Sequence, residues 1–169
     1  MINNFFNVLR PGINSTYQDE GRFSMQHFGL PPGGCMDSQA FSAVNALVGN
    51  KKNTGVIEFA YQGPLLQLTK GKTKFAITGN VNFKIIYKNN KIIEGDCYRS
   101  YNLNEGDQID ILVTEKSAYG YLSVEGGFEL ESFCNSVSTL VNAQIGPNNG
   151  SKINLGDRII IKQPYKNNK

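Results

Sequence analysis
The sequence predicts a mainly β fold, a closed or nearly closed barrel with one principal helix, and three observations carry that prediction. Short apolar runs follow one another along most of the chain, separated by turn residues. A single stretch, "DSQAFSAVNALVGN" at residues 37–50, changes to helical spacing. Glycine is abundant, at 18 residues, while acidic helix formers are few, a balance that favours turns and strands. At 169 residues the chain can bury one ordinary core, so residues 1–169 read as one domain, with a disordered tail over 163–169.

Residues 5–10 and 13–17 carry Phe, Val, Ile, Thr and Tyr on either side of "RPG", and read as two short strands joined or bent at that turn. In the helical stretch, Ala40, Phe41, Val44, Leu47 and Val48 recur at three- and four-residue spacings and share a face. Asp37 suits the N-cap, where its carboxylate accepts from the orphan amides of the first turn, and Gly49 suits the C-terminal stop. Beyond Thr54 come "GVIEFAY", "PLLQLT", "TKFAITG", "FKIIYKN", "KIIEG", "YRSYNL", "QIDILVTE", "YGYLSVEGG" and "RIIIKQ", each a strand. "YKNNKI" reads as a hairpin whose asparagines tolerate positive φ. "LNEGDQIDILV" and "INLGDRIIIK" share a Gly-Asp turn leading into a strand. About ten short strands with one helix point to a barrel, whose closure would remove exposed strand edges.

Charge and composition exclude several function classes. The net charge of +3 comes from scattered lysines, densest in the "KNNK" tail, and makes no continuous basic face for nucleic acid. The first residues, "MINNFFNVLRPG", have neither a long apolar core nor a small-residue cleavage site, and no apolar run approaches the roughly 20 residues that cross a bilayer. A soluble, cytoplasmic protein is therefore expected. Cys35, Cys97 and Cys134 are far apart without CxxC spacing, so they are expected reduced, with no disulfide framework and no metal site. Cys35 and His27 form a nucleophile and base only if the fold joins them, and separation within one loop does not say whether it does.

The stretch "HFGLPPGGCMD", residues 27–37, holds the single histidine and admits two readings. In one, Pro31 and Pro32 stiffen the chain, Gly33 and Gly34 supply unusual dihedrals, and Asp37 caps the helix. In the other, the loop amides at a helix N-terminus face a carboxylate, phosphate or oxyanion while His27 moves a proton. The residues by themselves leave both open.

The order of motifs goes further. "VLRPGINSTYQDEGR", "QHFGLPPGGCMDSQAFSAVNALVGN", "IEFAYQGP", "FAITG", "GYLSVEGGFE" and "INLGDRI" resemble, in sequence order, the N-terminal half of the allophanate-hydrolase-subunit-2 family, over roughly residues 6–162. That family includes the C-subunit of the bacterial ATP-dependent 5-oxoprolinase and is similar to part of the carboxyltransferase region of urea carboxylase. The block from Gln26 to Asn50 is the specific part. Cys35 and Asn80 stand where the family commonly has small residues, and the second, related half of its members follows the position where this sequence ends.

The resemblance implies a cyclophilin-like β-barrel and a share in a multi-subunit enzyme that opens 5-oxo-L-proline to L-glutamate. This chain alone would bind no cofactor, and the assembly would consume ATP. The implied partners are a subunit-1-like protein of the kinase-inhibitor type and a third subunit, and the substrate is a small carboxylate or lactam. Alternatives are a non-catalytic protein that docks on the subunit-1-like partner, and a biotin-dependent carboxyltransferase component. Carried over residue by residue, His27, Arg22 and Asp37 become catalytic candidates, and Gln18, Asp19, Gly33 and Gly34 substrate-binding ones, at one end of the barrel. Arg22 would grip a carboxylate through two parallel hydrogen bonds, or else brace Asp19 in an ion pair. Glu58, between Ile57 and Phe59, is a candidate buried partner of Arg22 ranked below the loop residues, and Asn45 a structural hydrogen-bonder.

Overall fold
In the computed structural model, which describes residues 3–164, the expected strands and the helix are all present. The first sheet has the order β11(Arg158–Ile161), β1(Asn4–Arg10), β4(Leu65–Lys70), β9(Gln108–Thr114), β6(Val81–Ile86), β7(Ile92–Gly95). The second has the order β2(Asn14–Gln18), β3(Val56–Ala60), β10(Tyr119–Val124), β5(Lys72–Thr78), β8(Ser100–Asn104), and the named strand pairs in both are antiparallel. From Tyr165 onward the expected tail lies outside the described residues. Among the described residues no helix is long and apolar enough to cross a membrane.

The closed barrel expected from the sequence is corrected by this topology: the strands divide into two sheets whose end strands do not pair with one another. Loops cover edges that closure would have removed. Thr139 N–H donates to Tyr17 O and Ile153 N–H to Ser15 O along the outer edge of β2, while Glu129 N–H and Lys162 N–H make equivalent bonds around β11. The "RPG" turn therefore joins strands of different sheets rather than bending one strand.

Alternation sets three layers. On β3, Ile57 and Phe59 point into the core between the sheets, with Phe6, Leu66, Phe75, Ile109 and Leu122. Val56 points to the opposite face, where Ala40, Phe41 and Val44 of α1(Ser38–Leu47) and its C-cap residue Val48 pack with Ala76 and Tyr121. Each fully buried side chain of this kind contributes about 1.5–3 kcal/mol of hydrophobic stabilisation. Asp37 caps α1 as expected, accepting from Gln39 N and Ala40 N at 3.0 Å each. Gly49, at φ +76°, ends it in a Schellman motif, with Gly49 N–H donating to Ala46 O and Asn50 N–H to Asn45 O. Asn45 has the structural job expected of it, donating to Thr54 O and accepting from the Ser123 hydroxyl. The two Gly-Asp turns are built alike: Asp107 accepts from Asn104 N and Asp157 from Asn154 N, each at 2.8 Å, after a positive-φ glycine. In the β6–β7 hairpin only Asn90 of the asparagine pair takes positive φ.

Candidate functional site
The outer face of the second sheet, beside the start of α1, carries an open cavity of about 670 Å³. Period two explains its floor: Asn14, Thr16 and Gln18 are alternate residues of β2, and all three line it. Thr16 pairs across to Glu58, which pairs across to Tyr121, so β3 contributes Glu58 from the same row. Tyr119 of β10, Pro31, Gly33, Gly34 and Met36 of the loop before α1, the segment Thr139–Ala143, and Lys152 complete the walls.

A hydrogen-bonded network fixes two of those walls. Asp19 is 3% exposed and accepts from Gly21 N (2.8 Å), Ser136 Oγ (2.7 Å) and Val137 N (2.8 Å), fastening residues 136–137 to the end of β2. Ser138 extends the fastening: its hydroxyl donates to Gln18 Oε1 at 2.5 Å and accepts from Gly34 N at 2.8 Å. Gln18 Nε2 donates to Thr16 Oγ1 and Thr139 O. Gly34, at φ +97°, passes so close to Glu20 that a Cβ would lie 2.7 Å from its carbonyl oxygen. The glycine is there for backbone contact.

The loop amides are largely taken. Gly34 N–H goes to Ser138, Cys35 N–H to Asp19 O, Met36 N–H to Glu58 Oε2 and Asp37 N–H to the Tyr121 hydroxyl. Gly33 N–H alone in Gly33–Asp37 makes no hydrogen bond among the described residues. The free anion cradle of the second sequence reading is thus reduced to one amide.

Among the described residues Glu58 is the one carboxylate lining the cavity, and it is 6% exposed. Its Oε2 accepts twice, from Met36 N at 2.8 Å and from the Tyr121 hydroxyl at 2.7 Å. Oε1 has no partner, yet it is not among the sealed, unpartnered polar atoms of the described interior. It is therefore the oxygen that the carboxylate presents to the cavity. Loss of hydration raises the Glu58 pKa above its ordinary value, against the lowering effect of the two donors. Burial, and next the Glu58 charge, push the Tyr121 hydroxyl up as well. Burial followed by Glu58 pushes the Cys35 thiol up to about 11, which keeps it protonated near neutral pH and a poor nucleophile.

The structure brings some of the expected site residues together and separates others. Gln18, Gly33 and Gly34 line the cavity. His27 lies outside its lining, exposed on the 3-10 helix Gln26–Phe28, with its ring 4.0 Å from that of Phe28. The expected convergence of His27 and Arg22 on one pocket is not what the fold produces, because Arg22 points inward. It is 1% exposed and donates from Nη2 to Ser138 O at 2.5 Å, while Nε and Nη1 have no partner. Neither the Arg22–Asp19 nor the Arg22–Glu58 pair forms among the described residues, since Asp19 faces Ser136 and Val137 and Glu58 faces Met36 and Tyr121. Asp37 is used as the helix cap and is not in the cavity lining. No group of three metal-ligating side chains gathers among the described residues.

Glu58, ranked below the loop residues from the sequence, lines the cavity together with Tyr119, Thr139, Asn142 and Lys152, which the sequence did not single out. The signal for Glu58 was available, an acidic residue inside the apolar run "VIEFA". Thr139, Asn142 and Lys152 carry no local signal, because their segment is brought to the cavity by the bonds that cover the edge of β2, and Tyr119 is there as the first residue of β10.

Comparison with known proteins agrees with the motif order. A family model described as the carboxyltransferase domain, subdomain A and B, matches residues 28–169. The 5-oxoprolinase C-subunit of Haemophilus influenzae is 34% identical over 152 residues, 90% of this chain and 48% of that protein. The urea amidolyase of Lachancea kluyveri is 32% identical over 160 residues, 94% of this chain and 8% of that protein. The crystal structure of Kluyveromyces lactis urea carboxylase superposes with a TM-score of 0.88 at 29% identity, over 97% of this chain and 14% of that one. The chain thus spans about half the length of its 5-oxoprolinase relative and a small part of the urea enzymes. With most of its residues matched by the model, the chain belongs to the family of carboxyltransferase domains, subdomain A and B, in which the 5-oxoprolinase C-subunit and urea amidolyase are its relatives.

Proposed function
We propose that this chain supplies one wall of the substrate site of a 5-oxoprolinase, an assembly that hydrolyses 5-oxo-L-proline to L-glutamate with consumption of ATP. The observation that carries the reading is the cavity on the second sheet, whose Glu58 carboxylate, Lys152 and neutral polar groups suit a small polar amide. A lactam has an N–H to donate, a C=O to accept and, in 5-oxoproline, a carboxylate that matches a cation. Glu58 Oε1 meets the first need, and Gly33 N–H is free for the second. Lys152 is the cation in the lining.

The partners are a subunit-1-like protein and a third subunit, and they complete the site and bring ATP. In this reading His27 acts only if a partner closes over its exposed turn, and Arg22 holds residue 138 in place rather than touching substrate. The test is ATP hydrolysis by the mixed subunits, which should require 5-oxo-L-proline and every chain. Absence of 5-oxoproline-dependent turnover in the full mixture contradicts the reading, and stable association without turnover would favour a docking protein.

The likeness to urea carboxylase supports a second reading, a carboxyltransferase component acting on urea. Both substrates present an amide N–H to the cavity. Urea-dependent loss of carboxybiotin from a biotin carrier, with 5-oxo-L-proline inert, separates the two.

A further inference from the structure
We infer that Glu58 is the group that selects the ligand of this cavity, accepting a hydrogen bond from a ligand N–H at Oε1 and so restricting the site to amides that keep an N–H. The inference rests on reading the cavity as an amide site and adds the atom that reads the amide. Oε2 is held by two donors on different elements, Met36 N before α1 and the Tyr121 hydroxyl on β10, and Thr16 on β2 is the cross-strand neighbour. A carboxylate fixed on one oxygen and free on the other is a preorganised acceptor, because no rotation has to be frozen when the ligand arrives. Being largely desolvated, it also makes a stronger hydrogen bond than an exposed carboxylate does.

The contacts of Oε2 dictate what an isosteric change does. In Glu58→Gln, both internal partners are donors, so the amide oxygen of the replacement takes the place of Oε2. Its NH2 then faces the cavity where an acceptor stood. The variant keeps the loop attached and inverts the polarity of the atom that meets the ligand N–H, so it is not a simple deletion.

The experiment measures binding of 5-oxo-L-proline and of its N-methyl derivative to this chain by NMR titration, for wild type and Glu58→Gln. Wild type should prefer the N–H compound by roughly ten- to a hundred-fold, the range for a hydrogen bond to a charged group, and the preference should vanish in the variant. A preference that survives Glu58→Gln, or that wild type lacks, overturns the inference while leaving an amide site in place. Failure of wild type to bind 5-oxo-L-proline at all overturns this inference and removes the support that the amide reading draws from this chain. Whether or not the variant folds, the Glu58 carboxyl carbon of wild type, followed by NMR through a pH titration, gives an independent readout. Saturating lactam should lower its apparent pKa, since an N–H donor favours the charged form, and no shift overturns the inference. The charged and titratable neighbours in that measurement are Tyr121 and Tyr119 on β10, Cys35 in the loop and Lys152 in the lining.

Discussion
The loop Gly33–Asp37 and the paired strands β2 and β3 face the same cavity with opposite resources. The loop is rich in residues that attract functional readings, yet four of its five amides are bound within the fold. β3 looks like an ordinary apolar strand and contributes the carboxylate oxygen left free. A glycine- and proline-rich motif can thus be constrained by backbone proximity alone, while the chemistry sits on a neighbour whose only sequence mark is a charge in a buried run.

The comparison breaks most severely if the loop glycines tolerate side chains. Gly34→Ala combines a positive φ with a Cβ 2.7 Å from a backbone oxygen, so a loss of about 3–5 kcal/mol is expected in urea denaturation. A loss near zero would mean that the loop is not packed as described. Asp19→Ala comes next, because it strands Gly21 N, Val137 N and the Ser136 hydroxyl; about 3 kcal/mol should disappear, with the same denaturation midpoint as the readout. Asp37→Ala removes only a helix cap and should cost about 1 kcal/mol. His27→Ala, on an exposed turn, should stay within about 0.5 kcal/mol of wild type by thermal melting.

The pH dependence of Glu58 sharpens the strand side. Its folded-state pKa is raised by burial, so the folded protein holds the proton at pH values where the unfolded chain, with an ordinary value of about 4.3, has released it. Stability from this group therefore falls as pH rises from that ordinary value through the raised one, and levels off above it. Glu58→Gln should remove the slope, so the variant should gain on wild type across that window and hold its gain at higher pH. Parallel stability curves for the two proteins would show that Glu58 is not desolvated.

How much was legible follows from the range of each interaction. Strands, helix and both caps of α1 were readable because Asp37 and Gly49 act on residues within five positions of themselves. Barrel closure was misread because the sequence pattern of a strand does not say which edge it meets, and here loops take the edges. Gln18, Gly33 and Gly34, which line the cavity, belong to motifs that a local reading could single out. Apart from Gly21 N, the partners of Asp19 and Arg22 lie at positions 136–138, over a hundred residues away, where the charge pairs considered from the sequence, Arg22 with Asp19 or Glu58, could not point.

The most direct measurement is an amide chemical-shift map of this chain titrated with 5-oxo-L-proline. The largest changes are expected at Gly33, with further shifts at Gln18, Thr139 and Tyr119, and quiet signals at His27 and Gly29. Changes centred on residues 26–29, with Gly33 unmoved, would contradict this expectation.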